Sequence, residues 1–116
     1  MTISLPVVKK LVRNQIPSVI KSDGRVPAFT LETDHNVRRG LLHSKLNEEW
    51  HEFVFARSAS DKIEELADLI EVVFAAAQLD DININDLLTV AAQKRSELGG
   101  FDNYVVLTIP VPQKEE

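Results

Sequence analysis

Two pairs of acidic residues with identical spacing lie in the middle of the chain. Glu49 and Glu52 form the first pair, and Glu65 and Asp68 form the second. A spacing of three residues places both side chains on one face of a helix, about 5–6 Å apart at their Cβ atoms. Like charges at that distance repel each other, and burying them without a counterion is strongly unfavourable. Each pair is therefore expected to need a cation.

Both pairs border apolar surface. On a helical projection at about 100° per residue, Glu49 falls inside the edge of an apolar arc that includes Trp50. On the next helical pattern, Glu65 falls between Val72 and Ala76. Mg²⁺ and Mn²⁺ prefer oxygen-only ligands, which two facing helices of this kind would supply. The two pairs together therefore predict a divalent metal site.

A second interpretation of these acidic pairs is a solvated face with ordinary surface ion pairs. Lys45 and Arg57 could then partner the first pair, and Lys62 could partner Glu65 from one helical turn away. A single pair of this spacing would favour that interpretation. The recurrence of the pair on two consecutive helices, each time beside an apolar stripe, favours the metal site.

The elements that must position these residues are mainly helical. Apolar periodicity and capping residues predict four helices: 17–22, from Thr33 or Asp34 to about 57, from a cap at Ser60 to 79, and from about Asn83 to a stop at Gly99-Gly100. Asp23-Gly24 would end the first of them. Alternating apolar residues predict two short strands, 27–33 and 104–109. The predicted fold class is thus all-α in the main, with a minor two-stranded β element.

Length, charge and composition limit the function. The 116 residues correspond to one domain, 1–116, and 44% hydrophobic with 27% charged residues is a globular composition. A net charge of −5 disfavours binding to nucleic acid, and no apolar run is long enough for a membrane span. The absence of cysteine excludes thiol catalysis, and there is no P-loop motif. A cytoplasmic protein without a membrane partner is expected.

An ordered set of short motifs resembles a known family. The first pair reads EWHE at 49–52 and the second ELAD at 65–68, with twelve residues between them. Residues 10–17 read KLVRNQIP, residues 45–49 read KLNEE, and residues 94–101 read KRSELGGF. This set resembles the MazG-like all-α nucleoside triphosphate pyrophosphohydrolases, in the branch that has a KLVRDKIP-type N-terminus and is similar to phosphoribosyl-ATP pyrophosphohydrolase.

The resemblance implies a four-helix-bundle core and a reaction. The reaction is hydrolysis of a nucleoside triphosphate between its α and β phosphorus atoms, which gives a monophosphate and pyrophosphate with Mg²⁺, or Mn²⁺, as cofactor. Glu49, Glu52, Glu65 and Asp68 would be the metal ligands. Either Glu48 or Glu49 would orient the attacking water, and the sequence does not choose between them. The implied phosphate contacts are Lys10, Arg13, Lys45 and Lys94.

Three positions depart from the pattern of that branch. Asn14 and Gln15 replace an acidic and a basic residue, and Leu98 stands where the branch tends to have arginine. If those positions contact substrate, then the preferred substrate or the rate differs from the branch average. Two alternative functions remain at this point: a non-enzymatic helical oligomerisation module with solvated acidic pairs, and a nucleotide-binding module with a degenerate site.

The third predicted helix is apolar on two faces. Residues 69–79 read LIEVVFAAAQL. One face is formed by Leu66, Ile70, Val73, Phe74 and Ala77. A second face is formed by Leu69, Val72 and Ala76 and also contains Glu65. A helix that is apolar all round must be covered all round. Self-association through the second face is therefore expected, as a dimer or tetramer like many members of the resembled family, with the site near the interface.

Overall fold

The computed structural model describes residues 9–22, 28–110 and 112. These residues contain four α-helices and no strand. The helices are α1 (Ile16–Ser22), α2 (His35–Phe55), α3 (Ala59–Leu79) and α4 (Ile84–Leu98). The chain divides into two compact units, Met1–Ile84 and Asn85–Glu116. The all-α prediction is confirmed, whereas the single domain stays a prediction.

The two long helices begin at residues whose side chains cap them. Asp34, one of the two predicted caps, accepts a hydrogen bond from the Val37 amide at 3.0 Å. The hydroxyl of Ser58 accepts from the Asp61 amide at 3.0 Å and starts α3. The prediction of Ser60 as this cap is wrong, because the backbone already leaves its extended conformation after Ser58.

Helices α2 and α3 form an antiparallel hairpin. Residues 56–58 join them, and so short a link makes consecutive helices antiparallel neighbours. Val72 and Ala77 of α3 are buried, together with the Glu49 carboxylate of α2. Glu49 and Glu65 lie equally far along the chain from Arg57, so the hairpin brings them to the same level.

The shorter helices end and begin close to the predicted positions. Helix α1 matches the predicted 17–22, and its predicted stop at Asp23-Gly24 lies outside the described residues. Helix α4 ends at Leu98, where Gly99 adopts a left-handed φ of 82° and donates its amide to the Arg95 carbonyl at 2.9 Å. The predicted glycine stop is thereby confirmed.

The predicted β element is absent from the described residues 28–33 and 104–109, and Pro27 lies outside them. Both segments are irregular and open to solvent, with Leu31 93% exposed and Val105 89% exposed. The reason for the error is that alternation of apolar residues favours extended backbone without showing a partner, and a strand exists only when a second strand pairs with it.

Burial on α3 does not follow the two predicted apolar faces. Val72 of the Glu65 face and Ala77 of the other face are buried, whereas Ala76 of the Glu65 face is exposed. Leu66, Ile70 and Val73 are 41–53% exposed. Helix α2 packs against α3 where Val72 is buried, and the expected self-association stays a prediction. Among the described residues, no helix has the length and apolar character needed to cross a membrane.

Candidate metal and phosphate site

Three carboxylates from the two helices converge inside the hairpin. One oxygen each from Glu49, Glu65 and Asp68 lies within 4.8 Å of the other two. Glu49 is only 4% exposed, and the other two are half-buried. Three of the four predicted ligands are thus close enough for one cation to bridge them.

Glu52, the fourth predicted ligand, lies beside this carboxylate triad (Glu49, Glu65 and Asp68). It interacts with Glu65, whose pKa it helps to raise. In an antiparallel hairpin Glu52 is one helical turn nearer to the connection than Glu49, whereas Asp68 is one turn farther from it than Glu65. The two residues therefore approach Glu65 from opposite sides.

The triad leaves two buried oxygen atoms without a partner. Within the described part of the chain, Oε2 of Glu49 and Oε2 of Glu65 make no hydrogen bond. The protonated form of Glu65 can hydrogen-bond to Glu49, and this effect, followed by burial and by Glu52, raises the pKa of Glu65 from 4.5 to about 7. Buried polar atoms are normally satisfied, and hard oxygen donors are the ligands of Mg²⁺. The residues present therefore fit a divalent cation.

Two lysines form ion pairs with Glu48, the residue that precedes the first acidic pair. Lys10 contacts Glu48 at 2.8 Å, and Lys45 lies 3.5 Å from Glu48 and 3.0 Å from Glu49. Burial of Glu48 raises its pKa, but the hydrogen bond from Lys10 and the charge of Lys45 outweigh that effect and lower the pKa. Glu48 is thus an ionised anchor for two ammonium groups. The pairing of Lys45 with Glu49 is the one that the solvated-face interpretation allowed.

Arg13 reaches the triad from the N-terminal segment. Its Nη2 donates to Oδ1 of Asp68 at 2.5 Å. The Arg13 carbonyl accepts from the Ile16 amide at 3.0 Å, so the turn at Asn14-Gln15 that leads into α1 fixes its backbone. The side chain itself is 55% exposed. Two of the three clustered carboxylates therefore already have a cationic partner from the chain, Asp68 in Arg13 and Glu49 in Lys45.

A cavity of about 260 Å³ opens beside Glu48 between the N-terminal segment and α2. It is lined by Lys9, Lys10, Leu11, Leu41, Ser44, Lys45 and Glu48. Three of these side chains are cationic, which suits an anionic ligand. Lys94, the fourth predicted phosphate contact, is exposed on α4 and belongs to the second unit, so its role stays a prediction.

Sequence reasoning missed two features of this site. It placed Arg13 among the phosphate contacts but gave no sign that the guanidinium would bind Asp68. It also did not identify Ser44 and Leu41 as cavity residues. Their spacing from Glu48, four and seven residues along one helix, could have shown that all three share a face.

Comparison with known proteins agrees with this arrangement. A family model described as phosphoribosyl-ATP pyrophosphohydrolase matches residues 24–95. No curated protein and no solved structure matches the chain. The matched range covers more than half of the chain and includes Lys45 and both acidic pairs. The chain therefore belongs to the phosphoribosyl-ATP pyrophosphohydrolase family, within the MazG-like superfamily of nucleotide pyrophosphohydrolases.

Proposed function

We propose that this protein hydrolyses a nucleoside triphosphate, or a related nucleotide, between its α and β phosphorus atoms in a reaction that depends on a divalent metal. The products are a nucleoside monophosphate and pyrophosphate. Family membership supports the hydrolase class. The observation that supports metal dependence is the pair of buried, unpartnered carboxylate oxygens on Glu49 and Glu65.

The residues proposed to hold the metal are Glu49, Glu65 and Asp68, with Glu52 beside them. Mg²⁺, or Mn²⁺, would neutralise charge on the phosphate oxygens and lower the pKa of the attacking water. The hairpin contributes the rigid spacing, because two packed helices keep the carboxylates together despite their repulsion. Metal affinity should fall when any of the three triad carboxylates is neutralised.

The basic side chains would bind the phosphates. Lys10 and Lys45 line the cavity, and their ion pairs with Glu48 hold both ammonium groups at its wall. Arg13 lies at the Asp68 side of the triad. A cationic group on each side of the carboxylates suits a polyphosphate, whose negative charges extend over several atoms. We keep Lys94 as a fourth proposed contact.

The geometry favours Glu49 over Glu48 as the group that orients water. Both oxygens of Glu48 are engaged, since Oε1 pairs with Lys10 and Oε2 with Lys45. Glu49 uses Oε1 for Lys45 and keeps Oε2 unpartnered inside the site. A carboxylate with a free oxygen can accept a proton or a hydrogen bond from water, and geometry is the first requirement for a general base.

We also propose that the protein forms a homodimer or homotetramer through the exposed face of α3. Ile63, Leu66, Ile70 and Val73 recur at helical spacing on this face and are 41–68% exposed. A continuous apolar stripe of this kind marks an interaction surface, and a second copy offers a matching stripe by two-fold symmetry.

Sedimentation at micromolar concentration tests the self-association. Val73→Asp should dissociate the assembly, whereas Val90→Asp should leave it intact, because Val90 is equally exposed (47% against 46%) but lies on α4. A wild-type protein that sediments as a 13.0 kDa monomer would contradict this proposal.

A substrate panel tests the proposed reaction. The protein is incubated with canonical and modified nucleoside triphosphates plus Mg²⁺ or Mn²⁺, and pyrophosphate and orthophosphate release are both measured. Pyrophosphate without orthophosphate is the expected product. Nucleotide binding without turnover would instead indicate a degenerate site, and neither binding nor turnover would indicate the oligomerisation module.

A further inference from the structure

Arg13 and the proposed metal need the same carboxylate. Nη2 of Arg13 lies 2.5 Å from Oδ1 of Asp68, and Asp68 belongs to the triad whose oxygens lie within 4.8 Å of one another. A guanidinium donor at hydrogen-bond distance occupies the lone-pair region of that oxygen. Asp68 could not give the same oxygen freely to a cation while Arg13 stays in place.

Lys10 provides a contrast on the same segment. It pairs with Glu48 at 2.8 Å, and Glu48 is not part of the carboxylate triad. Both cations lie near the site and both are about half exposed. Of these two cations, only Arg13 pairs with a carboxylate of the triad, so its release, and not that of Lys10, would free Asp68 for a metal. Lys45 of α2 pairs with a second triad carboxylate, Glu49, at 3.0 Å.

We propose that Arg13 is a built-in counterion that competes with the divalent cation for Asp68, so that the metal loads as the guanidinium leaves. This inference rests on the proposed metal site. The contact keeps part of the acidic cluster neutralised before loading and restrains premature metal binding. Once released, the half-exposed guanidinium is available to an anionic ligand at the edge of the site. A phosphate that captures Arg13 would thereby raise metal affinity, since such coupling between two ligands is reciprocal.

Calorimetric titration of Mn²⁺ alone, without nucleotide, tests the competition. Arg13→Gln should bind Mn²⁺ about five-fold more tightly than wild type, the upper range for loss of an exposed ion pair. Lys10→Gln, which removes the same charge from the same segment without freeing an atom of the triad, should give a smaller increase. Arg39→Gln breaks a 2.5 Å arginine–aspartate pair of equal exposure away from the site and should leave affinity unchanged.

A second readout observes the wild-type side chain directly. The Nε–Hε signal of Arg13 in a ¹⁵N spectrum should move toward the position of free arginine as Mg²⁺ saturates the protein. Equal or weaker Mn²⁺ binding by Arg13→Gln, in a variant that melts like wild type, would overturn the inference while leaving the metal site intact. An unmoved Arg13 signal at saturation would overturn it equally. Failure of every variant to bind Mn²⁺ would contradict the metal site as well.

Discussion

The two ends of the α2–α3 hairpin use acidic residues in opposite ways. Near the connection, Glu49 and Glu65 face each other with like charges and leave buried oxygens without partners. At the open end, Asp80 receives two hydrogen bonds from Arg39, at 2.5 and 3.1 Å, and lies 3.4 Å from His35. The open end is satisfied by the chain alone, whereas the other end is not.

The pKa values follow this difference. Hydrogen bonding of protonated Glu65 to Glu49, together with burial, raises the pKa of Glu65 to about 7, whereas the hydrogen bond from Arg39 lowers the pKa of Asp80. Complete pairing stabilises the network at the open end of the hairpin. Carboxylates that repel each other are stabilised only when a cation binds, which is the arrangement expected of a binding site.

The largest expected effect comes from neutralising Asp68 of the triad, and the same change at Asp80 of the open end serves as the control. Asp68→Asn should lower the rate of pyrophosphate release by about 100-fold or more, because a metal ligand supplies several kcal/mol of transition-state stabilisation and each 1.36 kcal/mol is tenfold. Asp80→Asn, at an aspartate that also pairs with an arginine at 2.5 Å, should keep nearly full activity. Equal losses in the two variants would contradict the assignment of separate roles.

Metal binding should stabilise the protein through the carboxylate triad and not through the open end of the hairpin. At a concentration 100 times the dissociation constant, Mg²⁺ or Mn²⁺ should raise the free energy of unfolding by about 2.7 kcal/mol, which is on the order of 10 °C in Tm for a domain of this size. Differential scanning calorimetry measures the shift. Asp80→Asn should retain it and Asp68→Asn should lose most of it, so an identical shift in both variants would place the metal elsewhere.

The pH dependence of the free energy of unfolding should reveal the raised pKa of Glu65 when wild type is compared with Glu65→Gln. Its pKa of about 7 in the folded protein exceeds the value of 4.5 in an unfolded chain, so the folded state holds this proton more tightly. Without metal, the stability of wild type should therefore fall relative to Glu65→Gln as pH rises from 4.5 through 7. Urea unfolding in EDTA at several pH values measures the difference. A difference that stays constant over this range would contradict the raised pKa.

The smallest expected effect concerns the start of α3 beside the connection. Ser58→Ala should cost about 1 kcal/mol, because it removes the acceptor for the Asp61 amide at the first turn. Ser60→Ala should cost nothing measurable, since that residue lies inside the helix, where alanine is the better helix former. Thermal unfolding of the two variants is the comparison, and the reverse order would restore Ser60 as the cap.

The helices and the carboxylate site could be predicted because their signals are local. Apolar periodicity, the cap at Asp34 and the stop at Gly99 each depend on residues within one or two turns. The meeting of Glu49 with Glu65 also follows from local facts, since a short connection and equal distance from it place them at one level. Most of the hairpin could therefore be predicted from the sequence alone.

The features that could not be predicted from the sequence depend on contacts between distant segments. The extended segment around Val105 has the composition of a strand, but nothing local shows whether a partner exists. Which apolar face of α3 meets α2 depends on the rotation of one helix against the other, so Val72 and Val73 could not be assigned in advance. The pair between Arg13 and Asp68 joins residues 55 positions apart and has no local signature.

Anomalous diffraction from crystals soaked in millimolar Mn²⁺ would show whether the carboxylate triad binds a metal. We expect an anomalous peak inside the hairpin within coordination distance, about 2.0–2.6 Å, of carboxylate oxygens from Glu49, Glu65 and Asp68. In the same map, the Arg13 guanidinium should no longer contact Asp68. A map with no peak among these three carboxylates, in crystals where the site is open to solvent, would contradict the assignment of this cluster as a metal site.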